Sequence, residues 1–291
     1  MAESISPVQA TCRAAREAAK GLLVVDQATR QRALDRFPDA LKTVKEPLFA
    51  ANAEDLFAAA EHGASKPMLK RLRIDDKVFD TMLRRLRKIA AADDPIGKVL
   101  CEHRRNDLLS QKVSVPLGVV AMIYESRPNV TTDVAAVCLR AANAVILRGG
   151  SQSHRTNKIL VETMTKVVEE TGLPPRCVQY VDVPGHDAVR EMLGYSQYID
   201  VVVPRGGPGL IKEVERQSAI PVIKHYDGIC HQYVAADADL DKAVAVCVNS
   251  KCQKVEVCNA LETLLVDAAC AERVLPKLAA AFKDVGVELR G

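Results

Sequence analysis

Asn143-Ala144-Val145-Ile146-Leu147-Arg148-Gly149-Gly150-Ser151 decides the fold class of this chain. Ala144–Leu147 is a short apolar run that reads as a strand. It stops at Arg148-Gly149-Gly150, and a helical pattern runs from about Ser151 to Glu169. Strand, glycine turn and helix in that order form part of a βαβ unit. Similar pieces lie on either side. Upstream, Val113–Tyr124 reads as a strand region broken at Pro116-Leu117-Gly118. Downstream, Cys177–Val181 reads as a strand with a helix after it around Ala188–Leu193. Ile199–Val203 is a further strand, followed by Pro204-Arg205-Gly206-Gly207 and a helix to about Gln217. Val222–Ile223 and Gln232–Ala235 read as short strands. The alternation predicts an α/β fold with a parallel sheet and right-handed crossovers. Ligands on such sheets sit at the carboxyl ends of the strands. The loops after Tyr124, Leu147 and Val203 are therefore where chemistry is expected.

The flanks read differently. Val8, Cys12, Ala15, Ala19 and Leu22 share one helical face, and so do Val78, Met82, Leu86 and Ile89 after the acidic pair Asp75-Asp76. Gly63 reads as a helix C-cap and Pro95 as a stop. After Asp237 come a helix (Leu240–Val248), a cysteine-rich segment, a strand at Leu264–Val266 and a helix at Glu272–Phe282. The pattern divides into residues 1–236, with 1–112 mainly helical, and residues 237–291, the opening of a second α/β domain.

Composition narrows the class. The chain has 291 residues, 48% hydrophobic and 26% charged, a globular balance. Forty Lys+Arg against 37 Asp+Glu leave +3, too weak to indicate a nucleic-acid or acidic-membrane partner. No apolar run approaches the roughly 18 residues of a membrane helix. Met1-Ala2-Glu3-Ser4 carries no secretory pattern. Nine cysteines, an odd number, suit free thiols in a cytoplasmic setting, eight of them as small buried hydrophobes. Cys247, Cys252 and Cys258 are spaced too loosely for zinc, and no metal site is expected.

Arg148-Gly149-Gly150 and Arg205-Gly206-Gly207 each stand between a strand and a helix. Glycine there lets backbone N–H groups approach a phosphate at the helix N-terminus. The alternative is a pair of plain turns needing positive φ. No acid ends the strand before Arg148, so the loop favours a 2′-phosphorylated nucleotide, NADP(H), over NAD. Val257-Cys258-Asn259-Ala260 reads as a cysteine entering a helix, whose dipole would favour a thiolate nucleophile. In Tyr124-Glu125-Ser126-Arg127-Pro128-Asn129, Arg127 is a candidate for an anionic substrate group and Asn129 an amide donor. His225 is a candidate acid or base. Arg84, Arg85, Arg87 and Lys88 read as the solvated face of a helix.

Taken together and in this order, these blocks resemble the gamma-glutamyl phosphate reductases, a family of the aldehyde dehydrogenase superfamily. The resemblance rests on Pro116-Leu117-Gly118-Val119, Tyr124–Val130, Asn143–Gly150, Val203–Gly207, Pro221–His231 and Val257–Leu265. It implies an aldehyde dehydrogenase-like fold, with residues 1–236 the cofactor domain and 237–291 the start of the catalytic domain. It implies NADPH-dependent reduction of L-glutamyl 5-phosphate to glutamate 5-semialdehyde and phosphate, a step of proline biosynthesis. Cys258 matches the nucleophile that forms a thioester, and Asn129 the oxyanion-hole amide. Arg148, Gly149, Gly150, Arg205, Gly206 and Gly207 would hold the cofactor, and Arg127 and His225 would face the substrate. His225 stands where hydrolytic relatives carry a water-activating Glu. A homo-oligomer and a glutamate 5-kinase partner are expected.

The sequence departs from the family in two places. The family's Gln-Arg-Pro before the nucleophile is Gln253-Lys254-Val255 here, with Glu256 next to Val257, and the chain ends at Gly291, where family chains run on. A relative that binds nucleotide without turnover, or an aldehyde dehydrogenase of other specificity, are the alternatives.

Overall fold

The computed structural model describes residues 5–125, 127–224, 228–255 and 257–291. The chain divides into two compact units, Met1–Lys224 and His225–Gly291. The pattern of the sequence placed that boundary at 236/237. The division falls earlier because the strand after Gly228 pairs within the second unit.

The first unit opens with five helices: α1 (Pro7–Leu22), α2 (Gln27–Thr43), α3 (Lys45–Glu61), α4 (Lys66–Leu72) and α5 (Asp76–Ala90). Their starts follow from local chemistry. The Ser6, Asp26 and Asp75 side chains accept the N–H groups of Gln9, Thr29 and Val78, as N-caps do. Gly63, at φ +77°, follows the end of α3. Two antiparallel strands come next, β1 (Val99–Arg105) and β2 (Leu108–Val113), turned by Asn106 and Asp107 at positive φ. The sequence reading began its strands only at Val113. Every residue of this hairpin is exposed, so it carries none of the alternation that marks a half-buried strand.

The remainder of the unit is β3 (Val119–Tyr124), α6 (Asn129–Arg140), β4 (Ala144–Gly149), a short 3₁₀ turn at Ser151–Ser153, α7 (His154–Glu170), β5 (Val178–Tyr180), α8 (His186–Leu193), β6 (Val201–Arg205) and α9 (Pro208–Gln217). The four strands form a parallel sheet in the order β5-β4-β3-β6. β3 is buried along its whole length, as the central strand of a sheet covered on both faces must be. Val222 adds a single bridge to Val202 where two short strands had been expected at 222–223 and 232–235; only the second forms. At the amino ends of the strands, the Asp200 carboxylate takes the Val119 N–H at 2.7 Å and pairs with Arg16 at 2.9 Å. A Cβ at residue 118 would lie 2.2 Å from that carboxylate, and φ there is +115°, so Gly118 is required twice over.

The second unit holds β7 (Cys230–Val234), α10 (Leu240–Cys252), β8 (Leu261–Val266) and α11 (Ala268–Asp284). β7 and β8 are parallel, and Val234, Cys247, Leu261, Cys270, Val274, Leu278 and Phe282 form its core. No helix among the described residues is long and apolar enough to cross a membrane.

Candidate functional site

The sheet of the first unit brings three carboxyl-end loops side by side. Tyr124 is in register with Gly149 on one neighbour and with Arg205 on the other. The loops bearing Glu125–Asn129, Gly149-Gly150 and Gly206-Gly207 thus leave the same edge of the sheet, as the alternation of strands and helices anticipated.

The glycine pairs do not need positive φ. Gly149, Gly150, Gly206 and Gly207 all lie outside that region, so positive φ does not account for glycine at these positions. Close approach explains two of them. A Cβ on Gly149 would meet Asn157 Nδ2 at 2.2 Å and the Tyr124 ring at 3.2 Å. A Cβ on Gly206 would meet the Glu125 carboxylate at 2.7 Å. Gly207 is different: nothing lies within 4 Å of its would-be Cβ. It is the N-cap of α9, with Pro208 at the first helical position and no side-chain cap. The next N–H groups of α9 have no preceding turn to bond. A cradle open above Gly207, beside helix N–H donors and the exposed Arg205, fits the phosphate groups of a dinucleotide.

That cradle already has one anion. Glu125 accepts the Gly207 N–H at 3.0 Å, and its own N–H donates to Arg205 O at 3.1 Å. Sequence reading gave Glu125 no role. Its signal was position alone: it directly follows β3, opposite the residue that precedes the glycine pair.

Arg148 lies within β4. Its guanidinium donates to the backbone carbonyls of Gly149 and, at 3.2 Å, Gly185, where α8 begins. Its Nε is buried and has no partner in the structure. Under this edge runs a buried chain of side chains. The Tyr124 hydroxyl and Thr131 Oγ1 are 2.6 Å apart, Thr131 donates to Asn157 Oδ1 at 2.9 Å, and Asn157 donates to Ser153 Oγ at 3.0 Å. Burial pushes the Tyr124 phenol well above its ordinary range, so it is neutral. Asp55 on α3 caps α7 from outside, accepting the N–H and hydroxyl of Thr156 at 2.9 and 2.7 Å. The chain and the cap fix the Gly149-Gly150 turn against α6.

Asn129 is the first residue of α6 and half-buried. Its amide makes one long bond, 3.4 Å to Asp133 Oδ2, and Asp133 is held by Arg85 of α5 at 2.8 Å. Arg127 lies in the connection from β3 to α6, its carbonyl accepting the Val130 N–H at 3.0 Å. The basic cluster of α5 is the solvent side of that helix, as expected, apart from this pairing of Arg85.

In the second unit, Cys258 is exposed. It does not enter a helix. It sits in a turn closed by the Ala260 N–H to Val257 O at 3.2 Å, and the chain runs directly into β8. A helix dipole therefore does not activate this thiol, contrary to the expectation from its sequence. Five cysteines are buried, not eight: Cys12, Cys138, Cys177, Cys247 and Cys270. Cys230 and Cys252 are half-buried, and Cys101 is exposed on the hairpin. All nine are free thiols. His225 and Glu256 lie outside the described residues.

The aldehyde dehydrogenase family model matches residues 3–289. The chain belongs to the aldehyde dehydrogenase family. Members of this family are oxidoreductases that use NAD(P). Gamma-glutamyl phosphate reductase from Thermotoga maritima superposes with a TM-score of 0.90 at 33% identity, covering 97% of this chain and 69% of that one. The enzyme of that name from Saccharomyces cerevisiae gives 0.72 at 31% identity, over 97% and 75%. An NAD-dependent benzaldehyde dehydrogenase from Corynebacterium glutamicum gives 0.64 at 20% identity over 97% and 58%, a likeness of fold alone. The α/β architecture with helices and a parallel sheet is that of these aldehyde dehydrogenases.

Proposed function

We propose that this protein reduces L-glutamyl 5-phosphate to L-glutamate 5-semialdehyde and phosphate, in proline biosynthesis. The likeness to two gamma-glutamyl phosphate reductases across 97% of the chain carries the reading.

The Cys258 thiolate attacks the acyl carbon, the carbon–oxygen bond to phosphate breaks, and a thioester remains. The Asn129 amide and the Cys258 backbone N–H donate to the oxyanion. The long bond from Asn129 to Asp133 is readily exchanged for that task. A bound NADPH would supply a hydride to the thioester carbon; with a proton this would give a thiohemiacetal, whose collapse would release the aldehyde and free Cys258. The α9 N-terminus at Gly206-Gly207, with Arg205, would hold its phosphates; Arg148, Gly149 and Gly150 would hold the 2′-phosphorylated ribose end. Arg127 and His225 are assigned to the substrate. Residues 1–224 serve the cofactor and residues 225–291 the chemistry. The same reading gives a cytoplasmic homo-oligomer, with glutamate 5-kinase supplying the acyl phosphate.

The test runs the reaction backwards, with glutamate semialdehyde, NADP and phosphate, following NADPH absorbance beside Cys258→Ala. Formation of NADPH that needs phosphate and disappears in Cys258→Ala is the expected result. Turnover independent of phosphate would indicate an aldehyde dehydrogenase of other specificity. Cofactor binding without turnover would indicate a nucleotide-binding relative.

A further inference from the structure

We propose that Cys230 and Cys258 form a peroxide-sensitive thiol pair, with Cys230 as the residue that resolves oxidised Cys258 into a disulfide. The inference goes beyond the reductase reading and does not need it, because the chemistry belongs to the two sulfurs.

The geometry is local to the second unit. The Cys230 thiol donates to the backbone carbonyl of Cys258 at 3.3 Å. Gly228 marks the same point of approach: a Cβ there would lie 2.7 Å from Cys258 O and 3.8 Å from Cys230 Sγ. Cys230 begins β7 and is paired with Leu261, the first residue of β8, so strand pairing holds it beside the turn that carries Cys258. Cys258 is exposed within that turn, and Cys230 is half-buried. The other cysteines of this unit differ. Cys247 and Cys270 are buried in its core, and Cys252 ends α10.

Disulfide formation by peroxide balances in two steps. The Cys258 thiolate attacks hydrogen peroxide; a sulfur–oxygen bond forms, the oxygen–oxygen bond breaks, and the departing hydroxide takes a proton to become water. The product is a sulfenic acid. The Cys230 thiolate then attacks that sulfur. A sulfur–sulfur bond forms, the sulfur–oxygen bond breaks, and hydroxide leaves as the second water. Two thiols lose two electrons and two protons, and one peroxide becomes two waters. A dithiol reductant reverses the change. The pair would hold Cys258 in a recoverable state instead of letting it climb to sulfinic acid.

The experiment exposes the full chain to about a tenfold molar excess of hydrogen peroxide at neutral pH, blocks remaining thiols with N-ethylmaleimide, and maps non-reduced peptides by mass spectrometry. A Cys230–Cys258 cross-link within one chain, removed by dithiothreitol and retained in Cys252→Ser, is expected. In Cys230→Ser the fraction of Cys258 recovered as thiol after dithiothreitol should fall about tenfold, with sulfinic acid in its place. Circular dichroism shows whether that variant is folded; Cys230→Ala serves if it is not. Cys258 oxidised to sulfinic acid in the unaltered chain while Cys230 takes up N-ethylmaleimide would overturn the proposal. So would a cross-link to Cys252 or to a second chain. None of these readouts depends on reductase activity, so loss of the functional reading leaves this one standing or falling by itself.

Discussion

The carboxylate of Glu125 accepts the N–H of Gly207 at 3.0 Å, at the start of α9. An acid from the end of one strand thus occupies the first donor of the helix that follows the neighbouring strand. Charge of this sign is stabilised there by the helix dipole. A phosphate seeking the same donors must share them with it. Glu125→Gln should tighten NADPH binding about threefold at low salt, with the gain shrinking as salt rises. Fluorescence titration of NADPH against both proteins checks this. Equal or weaker binding by the variant would remove Glu125 from the cradle's electrostatics.

The two glycines nearest the edge should respond differently to an added methyl. Gly149→Ala drives a Cβ to 2.2 Å from Asn157 Nδ2 and into the Tyr124 ring. It should cost about 2–4 kcal/mol of stability. Gly207→Ala meets nothing within 4 Å and needs no unusual φ, so it should melt within a degree or two of the unaltered protein. It should nevertheless weaken NADPH binding, because the methyl fills the space where a phosphate would approach. Thermal melts with and without cofactor separate the two. Unimpaired binding by Gly207→Ala would move the phosphate site elsewhere.

Asp55 is 3% exposed, and its carboxylate is bonded to Thr156 through both N–H and hydroxyl. Asp55→Ala should destabilise by about 3 kcal/mol, since it leaves buried donors at the start of α7 unanswered. Asp55→Asn keeps an acceptor and should cost less. Urea denaturation measures both, and an Asp55→Ala midpoint equal to the parent would show that α7 does not depend on this cap.

Burial pushes the thiols of Cys12, Cys138 and Cys177 up to about 12 from an ordinary 9.0. The native state therefore holds these protons where the unfolded chain has released them. Their contribution to stability is complete below pH 9 and is lost as pH climbs toward 12. Each thiol should remove about 1.4 kcal/mol per pH unit in that window. The urea midpoint should fall steeply between about pH 9 and about pH 11, and less steeply in Cys138→Ala. Parallel slopes for the two proteins would refute the assignment. These thiols should also resist alkylation in the native state while Cys258 reacts.

The parallel sheet was legible because its central strands are apolar without interruption. The region Val113–Tyr124 and the run Ala144–Leu147 read as strands, and both contain strands buried in the sheet. The helix starts were legible where an aspartate or serine caps them, as at Asp75. The hairpin at 99–113 was not, because it buries nothing. Cys258-Asn259-Ala260-Leu261-Glu262 has the composition of a helix start. Leu261 is instead drawn into β8 by pairing with β7, a tertiary contact that overrides local preference. Of the two readings of the glycine pairs, the positive-φ turn does not hold, and close packing places Gly149 and Gly206. Glu125 and the chain from Tyr124 to Ser153 were invisible, since only folding brings those residues together.

The order β5-β4-β3-β6 has a consequence for how the chain acquires its structure. β3 finds one neighbour at residues 144–149 and the other only at 201–205. Loop closure across that second span is slow compared with pairing nearby elements. As the chain leaves the ribosome, Val119–Tyr124 pairs first with β4 and presents an open, wholly apolar edge until Val201–Arg205 has emerged. That interval is when a nascent chain is most exposed to strand-to-strand aggregation, and when a chaperone has most to shield.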